Sequence, residues 1–177
     1  MRFFKRLVVT LVAVVVVLVA ISFLLPRNVA VSRSIVINAP AEAIFPQVNA
    51  LAAGQNWSPW LERDPNIQIA YDGPEQGVGN MMRWTSEVRD VGNGAQEIVA
   101  SVENERVETA LDFGSMGNAL AAFDLVASGA GTEVTWSFQT DMGMNPIARY
   151  MGLVMDRWVG ADYEKGLANL KALIENG

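Results

Sequence analysis

The chain has 177 residues, 51% of them hydrophobic, with thirteen basic and nineteen acidic side chains and a net charge of −6. It contains neither cysteine nor histidine, which removes thiolate and imidazole metal sites, disulfides, and the Cys–His and Ser–His–Asp nucleophilic arrangements. All nineteen acids but only ten of the basic residues follow Pro26, a net of −9 for that part, so no basic stripe exists for nucleic acid to bind.

Residues 7–25 are apolar except for Thr10 and Ser22. As a helix rising about 1.5 Å per residue they would extend roughly 28 Å, close to the hydrocarbon thickness of a bilayer. Arg2, Lys5 and Arg6 precede the stretch, and Pro26 with Arg27 ends it. A cleaved signal would have a shorter apolar run and a small-x-small site, which Val19 to Pro26 does not offer. The sequence therefore reads as an anchor at residues 1–27 and one domain at 28–177. The basic cluster places the N-terminus in the cytoplasm and the domain outside it, on a single-pass membrane protein.

Residues 29–37 alternate as a strand, with Val31, Arg33, Ile35 and Ile37 on one face. Pro40 opens a short helix over 40–48 that contains Pro46. Trp57-Ser58-Pro59-Trp60 reads as a second helical turn, Ser58 capping it. Strands are expected over 67–71, 80–88, 95–103, 106–113, 118–127 and 132–141. Between them lie turn signals such as Gly92-Asn93-Gly94 and Gly129-Ala130-Gly131. Residues 145–176 then form a long amphipathic helix, with Asn145 as cap, Pro146 at its first position and an interruption at Gly160-Ala161-Asp162.

An antiparallel sheet of this kind needs one face covered, and only the last helix is long enough to cover it. The fold class is α+β in two layers, a sheet wrapped around a C-terminal helix. Alternation turns Met82, Trp84, Thr109, Phe113, Phe123, Trp136 and Phe138 towards that helix, with Ile98, Ala100 and Val102 as a less regular set. Trp57 and Trp60 join them from the short helices, and Met151, Met155 and Trp158 from the covering helix. Small residues such as Ala100 and Ala121 leave volume among these large ones, and Thr109 supplies a polar point, so the twelve are candidates to line an apolar cavity. A solid interdigitated core is the competing arrangement.

The order strand, short helices, six strands, long helix resembles the START-like (SRPBCC, helix-grip) superfamily, in its polyketide cyclase/dehydrase-type branch. Residues 35–45, Trp57-Ser58-Pro59-Trp60, residues 131–138, Gly152 to Asp156 and Gly166 to Lys171 carry the resemblance. It implies a deep apolar cavity between sheet and helix, which relatives use for lipids, polyketides, sterols or hormones. It carries over no catalytic motif. The reading is a membrane-tethered domain with a hydrophobic small molecule or lipid as partner, no cofactor, no nucleic acid and no assigned protein partner. A cyclase- or hydratase-like enzyme would need an inward acid or base, and Arg83, Glu87, Asp112 and Asp124 all alternate outward. An envelope interaction module without ligand is the third reading.

Overall fold

The computed structural model describes residues 2–177. Helix α1, Arg2–Ser22, is exposed along its length; only Ser22 is buried, its hydroxyl donating to the Val19 carbonyl. Seven strands follow, with one short helix between the first two: β1 Asn28–Ile37, α2 Ala41–Asn49, β2 Gln68–Asp72, β3 Met81–Thr85, β4 Gly94–Val102, β5 Arg106–Asp112, β6 Asn118–Ser128 and β7 Gly131–Asp141. Helix α3, Pro146–Asn176, closes the chain. The strands form one antiparallel sheet in the order β1-β7-β6-β5-β4-β3-β2, and α3 covers one face, a two-layer α+β domain.

Local chemistry accounts for the helix ends. The Asn145 side chain accepts from the Ile147 and Ala148 amides, and Pro146 occupies a position whose N–H would have no partner. Strand register sorts the inward side chains into rows. Tyr71, Met82, Gln96, Leu111, Ala119, Thr140 and Val29 stand opposite one another at the end of the sheet nearest α1. The next row, Ile98, Thr109, Ala121, Phe138 and Val31, is fully buried.

Beyond it lies an aromatic column. Trp136 stacks on Tyr163 of α3 at 3.9 Å and 9°, and on Phe123 at 4.7 Å and 25°. Trp57 meets both Phe123 and Trp136 edge-on, and Trp60 meets Trp136 and Tyr163 edge-on. This half of the two-layer domain is a solid core, in the edge-to-face and offset geometries that ring quadrupoles favour.

Four local expectations change. Trp57 to Arg63 is a series of turns, and the helical turn is instead a 3-10 segment over Leu51–Asn56, directly after α2. Strand β3 stops at Thr85, because Ser86 takes up a turn in which its amide donates to Asn93 and its hydroxyl to Asp64. A bulge between Ile98 and Ala100 reverses the pleat of β4, so Ala100 and Val102 are exposed and Ser101 turns inward to donate to Asn49. Helix α3 runs unbroken through Gly160-Ala161-Asp162. Its glycines mark close approaches: a Cβ on Gly160 would lie 2.1 Å from the Arg33 guanidinium, and one on Gly166 would lie 2.7 Å from the Trp136 ring.

Candidate functional site

The covering helix lies to one side of the sheet. It packs chiefly along β1 and more lightly on β7. Arg33 of β1 holds it there, donating to Glu164 at 2.6 Å and to Asp156 at 3.0 Å, while Lys171 donates to the Val36 carbonyl. Asp162 pairs with Arg63, and Asn169 donates to the Trp57 carbonyl, which ties the other flank to the turns after α2. The inward side chains of β3 to β5 at the α1 end are left without that cover. Met82, Trp84, Leu111 and Phe113 are only partly buried, with Trp84 and Phe113 edge-on at 6.1 Å. Met155 of α3 is partly buried with them. Together they form a partly buried apolar strip on the helix side of the sheet, at the end where α1 leaves the domain.

The twelve candidate residues therefore separate. Trp57, Phe123, Trp136 and Phe138 are buried in the core, and Trp60 is packed on it. Thr109 is buried too, and its hydroxyl donates to the Ala121 carbonyl of the neighbouring strand, so its proton is already committed. Met82, Trp84, Phe113 and Met155 are partly buried. Met151 and Trp158 do not face the sheet: they are 43% and 50% exposed. At 100° per residue they sit about 110° round the helix from the buried line through Tyr163, Gly166 and Leu170. Apolar character at helical spacing could not separate the line that touches the sheet from the one beside it.

Leu111 and Gln96 belong to the same partly buried row and were missed. Leu111 was readable as an inward residue of its strand, and Gln96 was hidden because a polar side chain breaks the alternation. Tyr163 was missed as a polar group. Its side chain is 2% exposed, yet its hydroxyl has no hydrogen-bond partner among the described residues, and burial pushes its ionisation far above the usual phenol range.

A hollow of about 790 Å³ lies mainly on the other face of the sheet, though Gln96 and Leu111 also touch it. Met81 and Arg83 line it while Met82 between them does not, and Ala30, Gln139, Leu120, Ala110 and Glu97 continue the outward row in register. It is a saddle across the back of the twisted sheet. A smaller hollow of about 400 Å³ has Phe113 in its wall, at the turn between β5 and β6. On the helix side of the sheet the aromatic column packs one half, while the inward row at the α1 end is only partly buried.

The acids and bases considered for catalysis stand apart from this row. Arg106 engages Asp124 and Glu108, Asp112 accepts from the Gly114 amide, and Glu87 is exposed. Asp64 is buried, but its oxygens accept from the Asn66 amide and the Ser86 hydroxyl, which fixes a turn. Among the described residues no cluster of three acidic side chains is disposed to hold a metal ion.

The joint between α1 and the domain is built with equal care. Arg27 clasps Asp141 through two hydrogen bonds of 2.7 and 2.6 Å. Buried Arg149 donates to the carbonyls of Gly143, Phe23 and Leu25 and lies over the Phe23 ring. Tyr150 donates to the Leu18 carbonyl at 2.8 Å. Helix α1 is long and apolar enough to cross a membrane.

Residues 28–175 match the profile of a family described as polyketide cyclase / dehydrase and lipid transport. Solved structures with the same fold include an uncharacterised protein from Rhizobium leguminosarum, at 18% identity and a TM-score of 0.61, covering 85% of this chain and 96% of that one. A protein of unknown function from Staphylococcus aureus aligns at 12% identity and 0.63, covering 84% and 94%. The di-domain aromatase/cyclase StfQ of steffimycin biosynthesis aligns at 9% and 0.62, covering 84% of this chain and 51% of its own. No curated protein matches the chain.

Proposed function

The chain belongs to the polyketide cyclase / dehydrase and lipid transport family, and from that premise we propose that it is a membrane-anchored carrier of a hydrophobic small molecule or lipid. One observation carries the reading: the row Met82, Leu111 and Phe113, with Trp84 beside it, is only partly buried, and α3 packs along β1 at the other edge of the sheet. An apolar strip of this kind, lined by aromatics and a polar Gln96, is the surface an acyl chain or fused-ring ligand would cover. Helix α1 is the anchor, with its basic N-terminal end in the cytoplasm and the domain on the far side.

The core cluster runs from Val31 to Leu170 and draws nothing from α1, so the domain from Asn28 keeps its own interior. Native mass spectrometry of that domain, purified without detergent, should show added mass that organic extraction removes. It should also bind an apolar fluorophore, and Leu111→Trp should block that binding while leaving thermal unfolding unchanged. A bare mass with no fluorophore response would defeat the proposal. Fluorophore binding lost on Leu120→Trp instead would move the site to the hollow on the back of the sheet.

An enzyme of the cyclase type is not supported by the row Met82, Gln96, Leu111 and Phe113, which presents no carboxylate or amine.

A further inference from the structure

The outward surface of α3 changes character halfway along. Ile147, Met151, Val154 and Trp158 recur at steps of four, three and four and form one stripe. They are 73%, 43%, 37% and 50% exposed, and Leu153 beside them is 59% exposed. From Glu164 onwards the outward positions are charged or small, as in Glu164, Lys165 and Ala168. A soluble domain has no reason to leave one half of a surface helix apolar.

The stripe begins beside the last turns of α1. Tyr150 is bonded to the Leu18 carbonyl, and Arg149 to the carbonyls of Phe23 and Leu25. Leu18 lies seven residues before the end of the apolar run, about 10 Å along a helix at 1.5 Å per residue. With α1 across a bilayer, the first turns of α3 would stand at the boundary of acyl chains and headgroups. Tyr and Trp favour that depth, and a helix with one apolar side lies flat in it.

We propose that the first half of α3 docks on the bilayer surface from which α1 emerges, with the stripe Ile147–Met151–Val154–Trp158 in the interface. The proposal rests on α1 spanning the membrane. Docking brings the α1 end of the sheet, with the row from Val29 to Met82, towards the lipid. The contact is apolar: the domain carries −9 and Arg157 is the one cation on this part of the outward surface. It is therefore insensitive to salt and needs no anionic lipid.

The absence of cysteine makes the test clean. The full chain is reconstituted in phosphatidylcholine vesicles with a single cysteine carrying an environment-sensitive fluorophore, at Val14→Cys, Met151→Cys or Ala168→Cys, and nitroxide-bearing lipid is the quencher. Quenching at 14 and 151, several-fold above that at 168 and unchanged in high salt, is the expected result. Quenching at 14 with 151 no different from 168 overturns the docking and leaves the anchor standing. Failure at 14 overturns the anchor and the docking with it. A blue-shifted label at 151 that lipid does not quench means that protein, such as a second copy, covers the stripe, and this too overturns the proposal.

Discussion

Arg33 of β1 lies against Gly160 of α3, its guanidinium occupying the space a β-carbon would need. The contact explains why a helix 31 residues long carries glycine at its middle. It also seats α3 on the edge strand β1.

Alanine at Gly160 and Gly166 should therefore behave differently. Each gains up to about 1 kcal/mol of helix propensity. At Gly166 the new methyl meets the Trp136 ring and Pro59, which cannot move aside, and overpacking of that kind costs roughly 1–3 kcal/mol. At Gly160 it meets the end of a flexible side chain, which can swing away from Asp156 and Glu164 at a smaller cost. Thermal unfolding of the two variants in detergent should place Gly166→Ala well below Gly160→Ala.

Tyr163→Phe should not destabilise the domain. The hydroxyl makes no hydrogen bond within the described residues, so its removal breaks none and should change stability by less than about 1 kcal/mol. Loss of bound ligand together with an unchanged or higher melting temperature would assign the hydroxyl to the ligand. A lower melting temperature would show that it is satisfied in the folded protein.

The clasp between Arg27 and Asp141 sets a pH response. The Arg27 guanidinium, with help from the Gly143 amide, holds the Asp141 carboxyl down from 3.8 to about 2. A depressed carboxyl contributes stability above its unfolded value and loses it as pH falls towards its folded one. The gap in stability between the natural chain and Asp141→Asn should be constant above about pH 4 and close by about pH 2, followed by acid unfolding.

Arg149→Lys should loosen the joint between α1 and the domain. One ammonium cannot reproduce a fork that reaches three carbonyls and lies over the Phe23 ring. Limited trypsin digestion should cut after Arg27 several-fold faster in this variant, with the strands still protected.

Some of this was legible in the chain as written. Asn145-Pro146 marked the start of α3 because a cap and a first-turn proline act within a few bonds. Alternation named the inward residues of β5, β6 and β7, because the pleat has a period of two and a core selects one face. It failed at β4, where one extra residue reversed the faces, and at Gln96, where a polar side chain points inward.

Sequence by itself determined the two-layer fold, the apolar N-terminal helix and the lack of nucleophilic or metal chemistry, since composition, period and capping are local properties of the chain. Tertiary structure alone decided where α3 rests on the sheet. That placement depends on Arg33 meeting Gly160 and on Trp136 meeting Gly166, pairs separated by more than a hundred and by thirty residues. It left Met151 and Trp158 outside, left the row at the α1 end of the sheet only partly buried, and set the apolar stripe beside α1, because contacts between distant residues carry no signal in the spacing of either.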